Sequence, residues 1–212
     1  MKNCNETAIK EDARSRIIQH ATRKFLTVGI KEVKMDDIAK ELGISKRTIY
    51  ENFEDKKELL FNCLKATHEY ISKISRPYLR VAEHSTLDKI LFLYNIYFEM
   101  LSKINKKFFI ELNKYPEVIN SKKQKEVLHG RIFKAWIKQA VKEGLIREDV
   151  KFDVLHYIIQ RDIELLSTTN EFPNYTTKEL GQSFILFYLR GICTEKGQVI
   201  IERFIQDNKN NK

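Results

Sequence analysis

The chain of 212 residues carries 38 Lys and Arg against 29 Asp and Glu, which gives a formal net charge of +9 at pH 7. Because it has only 7 Gly and 3 Pro, composition favours long helices over many turns. No apolar run reaches the roughly 18 residues of a membrane span, and the N-terminus lacks the apolar region of a signal peptide. We therefore expect an all-α, cytoplasmic protein of one large or two small domains.

Chemistry-bearing residues are scattered along the chain. Cys4, Cys63 and Cys193 are odd in number, and no two have metal or redox spacing, so we expect reduced thiols. The five His stand alone, without an HExxH motif or a Cys/His cluster, and there is no phosphate-binding glycine loop and no GxSxG. The sequence therefore predicts a protein that is not an enzyme, with no catalytic residue, no metal site and no cofactor.

The first helix is predicted from about Asp12 to Val28. Apolar residues recur every four positions in this stretch, as in Ile17, Ala21 and Phe25, which is the period of a helix with one buried face. Gly29 ends the pattern. The preceding polar segment, residues 1–11, is predicted to be unstructured. The buried face suits a helix that packs beneath the two helices that follow.

A short helix, a tight turn and a second helix come next. Ile38, Ala39 and Leu42 form one apolar face of the first of these helices. Gly43 falls where that helix should end, and glycine accepts the left-handed conformation that a helix end requires. The sequence therefore predicts a sharp turn at Gly43.

The second helix of this pair has an apolar side and a cationic side. Ser45 is a suitable N-cap, and Ile49 and Phe53 are four residues apart and point toward a core. Lys46 and Arg47 fall on other faces in the first turn. This is the arrangement of a helix-turn-helix, whose second helix places its first residues on base edges in the major groove of DNA.

The segment from about residue 12 to residue 62 resembles the DNA-binding domain of the tetracycline-repressor (TetR) family. The resemblance rests on the run IAKELGISKRTIYENFEDKKELL and on the preceding helix. The positions that match the family's spacing are Ile38, Ala39, Gly43, Thr48, Tyr50, Phe53 and Lys56. One position departs from it, since Lys34 stands where the family usually has a Ser or Thr N-cap. Asp36 and Asp37 still favour a helix N-terminus through its dipole.

The resemblance implies an all-α architecture in two parts. Residues 1–60 would form a three-helix domain that contains the helix-turn-helix. A lever helix, from about 55 to 75 and ending before Pro77, would join it to a helical-bundle domain over 61–212 that binds an effector and dimerises. The further helices predicted from apolar periodicity are about 88–104, 106–113, 116–144, 152–168, 176–193 and 195–207.

The resemblance also implies which residues contact DNA. The predicted set is Ser45, Lys46, Arg47, Thr48, Tyr50, Asn52 and Lys56. Lys46, Arg47 and Thr48 match positions that meet bases, and Tyr50, Asn52 and Lys56 match positions that meet phosphates. The chemistry of the side chains agrees in part, because Arg pairs with guanine, while hydroxyl and amide groups, including that of Thr48, donate to phosphate oxygens.

Charge by itself does not identify this function. The net charge is +2 over residues 1–60, +7 over 61–150 and 0 over 151–212, so the surplus lies outside the helix-turn-helix. A solvated helix face is the plainest interpretation of the middle surplus. Flanking DNA contacts or an acidic effector are the alternatives.

Aromatic residues suggest a small-molecule pocket in the second domain. Eight of them lie on or next to three predicted helices: Tyr94, Tyr97, Phe98, Phe108, Phe109, Tyr115, Phe133 and Trp136. Pockets between helices are mostly apolar with few polar groups, and Tyr supplies both, although each ring alone is better explained as core. Because family members typically bind an effector in this domain, the predicted ligand-binding residues are Tyr94, Tyr97, Phe98, Phe133 and Trp136.

These features predict a transcriptional regulator that binds double-stranded DNA at a palindromic operator as a homodimer. By resemblance it is a repressor released by a small-molecule effector, and helices 152–168 and 176–193 form the intersubunit bundle. Two alternatives stay open. One is a regulator without a small-molecule effector, controlled by a protein partner or by its own abundance. The other is a ligand-binding or enzymatic helical domain with a vestigial DNA-binding domain.

Overall fold

The structure, a computed structural model, describes residues 2–169 and 171–210, with side chains over 12–119, 130–169 and 171–208. Within this part of the chain the fold is all-α, as predicted, with one isolated antiparallel bridge between Ile146 and Cys193. The ten helices are α1 (Lys2–Val28), α2 (Met35–Leu42), α3 (Lys46–Asn52), α4 (Lys56–Leu79), α5 (Thr86–Leu101), α6 (Lys106–Leu112), α7 (Pro116–Lys142), α8 (Phe152–Thr168), α9 (Thr177–Ile192) and α10 (Glu195–Asn210).

The chain divides into two compact units that do not follow the chain order. The first unit comprises Met1–Ser72 with Lys103–Lys122, and the second comprises Lys73–Ser102 with Lys123–Lys212. Helices α4 and α7 therefore each contribute to both units. The division into functional domains at residue 60 stays a prediction, but the structure adds the segment 103–122 to the N-terminal unit. This segment carries five Lys and two Glu, part of the basic surplus of the middle of the chain.

The first unit is built on α1, which packs against α2, α3 and α6. The apolar positions that the sequence assigned to a buried face are buried, except that Leu42 is only partly buried against the same core. Together with residues of α4 and α6 they make one core: Ile17, Ala21, Phe25, Ile30, Val33, Met35, Ile38, Ala39, Ile49, Phe53, Leu59, Leu60, Cys63, Phe108, Leu112 and Val118.

Polar contacts attach α6 to the end of α1. The backbone N–H of Asn105 donates to the carbonyl of Leu26 at 2.7 Å, and its side-chain amide donates to the carbonyl of Thr27 at 3.1 Å. Further along α6, Glu111 accepts from the backbone N–H of Lys31 at 2.7 Å. These long-range contacts hold the returning segment on the N-terminal unit.

This attachment corrects part of the predicted aromatic pocket. Phe108 is buried in the core of the first unit, and Phe109 and Tyr115 pack against that core. They do not share the second unit with the aromatic residues of α5 and α7, as the pocket prediction requires. Periodicity identified the helix that carries them but not the core that it joins.

Several helix ends differ from the prediction, with the largest differences at the start of α1 and the end of α4. Helix α1 begins at Lys2 rather than near residue 12, and the preceding polar residues contain no Gly or Pro that would prevent a helix. Helix α4 continues through Pro77 and ends at Leu79. A proline removes one intrahelical hydrogen bond. Pro77 lies in the last turn of α4, and the helix ends two residues later. The missing hydrogen bond therefore affects little of the helix.

The second unit is built on α5 and α9. Helix α5 packs against α9 and α10, and α9 packs against α8 and α10. Capping boxes define two of the helix starts, Ser85 with Asp88 for α5 and Thr176 with Glu179 for α9. The predicted helices at 152–168 and 176–193 are confirmed within one residue. None of the helices in the described residues is long and apolar enough to cross a membrane.

The turn between α2 and α3 gives a test of backbone conformation. Gly43 has φ +66°, and nothing lies within 4 Å of the place where a Cβ would stand. Gly43→Ala should therefore lower the free energy of unfolding by about 1–2 kcal/mol through backbone strain alone. Urea denaturation followed by circular dichroism measures it.

Gly191→Ala is the matched control for this substitution. Gly191 also has open space around it, but it lies in helix α9, where alanine is favoured. The control should not lose stability. Equal losses in the two variants would contradict the left-handed turn at Gly43.

Candidate nucleic-acid interface

Helix α3 begins at the N-cap that the sequence predicts. The Ser45 hydroxyl accepts a hydrogen bond from the backbone N–H of Thr48 at 3.0 Å, and the two side-chain hydroxyls lie 2.8 Å apart. Helix α2 ends in front of it at Gly43, whose N–H lies 3.2 Å from the carbonyl of Lys40. These contacts set where α3 starts, and so which residues lie in its first turn.

The inner face of α3 is anchored in the core of the first unit. Ile49 is 0% exposed and Phe53, directly after the helix, is 1% exposed. The guanidinium of Arg14, on α1, lies 4.3 Å from the centre of the Phe53 ring. Arg14 also donates to the backbone carbonyl of Asn52 and to the side-chain oxygen of Asn62. Helix α3 is therefore held at its C-terminal end by both apolar and polar contacts.

Arg14 is a positioning residue that the sequence analysis does not identify. Its side chain is half-buried and also lies 3.6 Å from Glu58 at the start of α4. Nothing in its spacing distinguishes it from the other basic residues of α1. Only the packing of α1 beneath the α3–α4 turn gives it this role.

The outer face of α3 carries two cations that are paired with acids. Lys46 Nζ lies 2.8 Å from Asp36 Oδ2, and Arg47 Nε donates to Glu51 Oε1 at 2.7 Å. Hydrogen bonding with the neighbouring carboxylate raises the pKa of each basic group. Both pairs are exposed, and the Arg47 side chain is 86% exposed. Exposed pairs of this kind are weak and screened by salt, so either cation is available to another anion.

Tyr50 and Lys56 lie at the edge of this surface in different environments. Tyr50 is 45% exposed, and Lys46 Nζ lies 6.0 Å from the centre of its ring. Lys56 is half-buried at the first position of α4, where its Nζ donates to the carbonyl of Lys31 at 3.3 Å. Burial lowers the pKa of Lys56, while Glu111 and Glu32 act in the opposite direction.

Asn52 is placed differently from the other predicted residues. It is only 8% exposed, and its amide donates to the carbonyl of Thr48 at 2.8 Å. Its side-chain oxygen is buried with no hydrogen-bond partner in the described residues. The side chain faces the protein, so the structure does not present it for the phosphate contact that the resemblance implies.

The start of α2 shows the departure from the family pattern noted in the sequence. Lys34 occupies the N-cap position with φ −109°, and its side chain makes no capping hydrogen bond. Asp36 and Asp37 lie in the first turn, where their charges favour the helix dipole. The helix forms without the side-chain cap.

The predicted ligand-binding residues are brought together only in part. A cavity of about 190 Å³ lies in the second unit between α5, α9 and α10. Its lining is Leu91, Tyr94, Asn95, Phe98, Gln182, Ile185, Leu186, Phe204, Ile205 and Asn208. Tyr94 and Phe98 are members of the predicted set. Tyr97, Phe133 and Trp136 do not line it.

Two of those three residues pack behind the cavity wall. Tyr97 contacts Phe98 edge to face with ring centroids 5.8 Å apart. Phe133 contacts Tyr94 in the same way at 6.3 Å and lies 5.7 Å from Phe152. The sequence did not predict that α9 and α10 line the cavity, because it does not indicate which helices pack against α5.

Side chains that could bind a metal or act as a thiol nucleophile are scattered through the described residues. No group of three or more His, Cys, Asp or Glu side chains there could hold a metal ion. Burial raises the pKa of the Cys63 thiol to about 12 and that of Cys193 to about 11. Because the thiolate is the reactive form, both buried cysteines are poor nucleophiles.

Comparisons with known proteins agree with this geometry. Residues 17–63 match the family model described as bacterial regulatory proteins, tetR family. The chain is 25% identical over 142 residues to the biofilm operon icaADBC HTH-type negative transcriptional regulator IcaR of Staphylococcus aureus (strain Newman), over 66% of this chain and 68% of that protein.

Solved structures share the fold at low sequence identity. A transcriptional regulator from Saccharomonospora viridis, solved in complex with choline, is 20% identical, with a TM-score of 0.73 over 87% of this chain and 100% of that chain. A TetR-family regulator from Agrobacterium tumefaciens is 13% identical, with a TM-score of 0.66 over the same shares of the two chains. These likenesses concern the fold alone.

The anchored helix-turn-helix and the helical second unit define a transcriptional regulator of the DNA-binding class. The match at residues 17–63 shows the DNA-binding domain of the tetR family of bacterial regulatory proteins, and the similarity to IcaR extends over two thirds of the chain.

The N-cap of α3 gives a test of how the site is held in place. Ser45→Ala removes the acceptor for the N–H of Thr48, and loss of such a cap typically costs about 1 kcal/mol of stability. Thermal unfolding of the purified protein measures it. Ser45→Asn, which can also cap a helix, should retain most of the stability. If Ser45→Ala is as stable as the wild type, the cap does not determine where α3 begins.

Proposed function

We propose that the protein is a repressor that binds a palindromic operator as a homodimer and leaves it when a small-molecule effector binds. One observation carries the DNA-binding part of this proposal. Helix α3 is anchored by Ile49 and Phe53 on its inner side and exposes Lys46 and Arg47 on its outer side. A rigid helix with cations in its first turn is the arrangement that reads base edges in the major groove. Such a regulator acts in the cytoplasm, where the bacterial chromosome is.

Lys46 and Arg47 are proposed to contact bases. The ion pairs with Asp36 and Glu51 lie on the exposed surface, so base edges can replace the carboxylates as hydrogen-bond partners at little cost. Arg47 has the planar fork of donors that pairs with guanine. Thr48, whose hydroxyl is bonded to Ser45, completes the proposed base-contacting set.

Phosphate contacts are proposed for the residues around this centre. Ser45 and Tyr50 present hydroxyl groups beside the two cations, and Lys56 stands at the N-terminus of α4, where ammonium and helix dipole both favour a phosphate. Asn52 is left out of the proposed set because its buried amide is bonded to the backbone. It acts instead as a structural residue at the end of α3.

The homodimer is proposed to form through α8 and α9. Val154, Tyr157, Ile158 and Leu165 are exposed apolar residues at helical spacing along α8, and Phe187 on α9 is 75% exposed. An exposed apolar stripe on two adjacent helices suits burial against the same stripe of a second copy. A twofold dimer would present two α3 helices to the two halves of a palindrome, about one DNA turn or a multiple of it apart.

Release by an effector is supported by the cavity in the second unit. Its walls come from α5, α9 and α10, and it has room for a small molecule. The related structure from Saccharomonospora viridis holds choline, and IcaR is described as a negative regulator, so both halves of the proposal have a precedent among similar proteins. An effector would act by binding better to a form in which the lever helix α4 no longer holds α3 at operator spacing.

Binding to DNA tests the core of this proposal. The probe is the fragment just upstream of the protein's own coding region, with a scrambled fragment of equal length as control and a salt titration of each. We expect the upstream fragment to bind at least ~10³-fold more tightly than the scrambled one. Equal, weak and steeply salt-dependent binding to both would show attraction to the DNA backbone only. A search of the whole genome that also found no site would then favour a vestigial DNA-binding domain.

Substitutions in α3 and α4 separate base contacts from phosphate contacts. Arg47→Ala should weaken operator binding roughly ten- to a hundredfold and relax sequence preference at one base pair. Lys56→Ala should weaken binding to every sequence similarly and reduce the salt slope by about one. Lys138→Ala, an exposed lysine of the second unit, is the control. Operator preference that survives Arg47→Ala unchanged would contradict its role in base recognition.

A charge in the apolar stripe tests the proposed dimer. Phe187→Glu places a carboxylate where the two copies would pack, so we expect a monomer and loss of tight operator binding. Light scattering after size-exclusion chromatography measures the mass, and circular dichroism checks that helicity is retained. Ile110→Glu makes the same change at a 51% exposed position of the first unit and should leave the dimer intact. If the Phe187→Glu variant remains a dimer, the interface lies elsewhere on the protein.

A further inference from the structure

The cavity between α5, α9 and α10 has walls that restrict what it can hold. Of the ten lining residues that the structure describes, none is Lys, Arg, Asp, Glu or His. A charged group that entered would lose hydration without gaining an opposite charge, which is strongly unfavourable. The lining therefore selects against ions, whether anionic or cationic.

The size of the cavity limits the ligand further. Its volume is about 190 Å³. Engineered apolar cavities of roughly 150 Å³ bind benzene, so this space suits about one aromatic ring with a short substituent. Phe98 and Phe204 contribute ring surface to the walls, and Leu91, Ile185 and Leu186 contribute aliphatic surface.

A few polar groups are available inside this apolar lining. Gln182 donates to the side-chain oxygen of Asn95 at 3.3 Å, a long and therefore weak bond that a ligand can replace. Asn208 uses its amide N–H on the carbonyl of Phe204 and keeps its side-chain oxygen as an acceptor. Burial raises the pKa of the Tyr94 hydroxyl well above its usual range, so this group stays a neutral donor.

We infer that this cavity binds an uncharged, mostly apolar molecule of about one aromatic ring that carries one hydroxyl or amide group. The ring would pack between α5 and α10, and the polar group would bond to Asn95 and Gln182. The role of this cavity as the effector site rests on the proposed function. The wall from α10, with Phe204, Ile205 and Asn208, is the part of this site that the aromatic residues of the sequence did not indicate.

Three ring compounds of matched size distinguish the ligand class. Benzyl alcohol is neutral, benzoate is an anion and benzylamine is a cation at pH 7, and choline serves as a cation without a ring. Calorimetry with the full-length protein should show benzyl alcohol binding at least about tenfold more tightly than any of the other three. Equal binding of all four, or tighter binding of a charged one, would overturn the inference.

Two variants locate the binding within the cavity. Leu186→Trp fills the space and should abolish binding of benzyl alcohol. Asn95→Asp places a carboxylate in the cavity wall. It should weaken the binding of benzyl alcohol several-fold, so that benzylamine binds more tightly than benzyl alcohol. Asn113→Asp, at an exposed site of the first unit, is the matched control and should change neither. If Leu186→Trp fails to fold, the reversal in Asn95→Asp still decides, and its absence would refute the site.

Operator binding measured in the absence of the four small molecules distinguishes the cavity inference from the proposed function. If the operator is bound but none of the probes binds, the cavity inference fails and the repressor stands. If benzyl alcohol binds with the predicted selectivity but no operator is found, the cavity stands and the proposed function fails. If both bind and benzyl alcohol leaves operator affinity unchanged, the site binds ligand but is not the effector site.

Discussion

The packing of α3 against the N-terminal core is the constraint on which the DNA-facing surface depends. A seven-residue helix is not stable in isolation, since nucleation costs more than so few hydrogen bonds return. Complete burial of Ile49 and Phe53, with Arg14 over the Phe53 ring, holds it in one orientation. Lys46 and Arg47 point in a defined direction because burial of the opposite face prevents their helix from rotating.

Charge acts on this surface locally rather than through the whole molecule. The N-terminal 60 residues are nearly balanced, and the two cations of α3 are matched by Asp36 and Glu51. Balance of this kind limits general attraction to DNA, because exposed pairs are neutral at a distance, yet they are weak enough for a base edge to replace the acid at close range. It suits a protein that must find one site among many non-specific ones.

In the second unit, helix α9 takes part in both proposed interactions. Phe187 is exposed on α9, which packs against α8, while the adjacent residues Ile185 and Leu186 line the cavity. A ligand in the cavity and a partner copy on the stripe would therefore both contact one helix. A shift of α9 on ligand binding would change the dimer contact directly, which is a short physical route for coupling the two.

The sequence alone determined the all-α class, the helix-turn-helix with its Gly43 turn and Ser45 cap, and the likeness of this domain to the tetR family, because these depend on spacing between residues that are close in the chain. Tertiary structure decided the rest. It placed the segment 103–122 on the N-terminal unit, buried Asn52, gave Arg14 its role, and opened a cavity toward α10 instead of α7. Periodicity shows that a helix has a buried face, but the partner of that face depends on contacts between residues far apart in the chain, which no local pattern records.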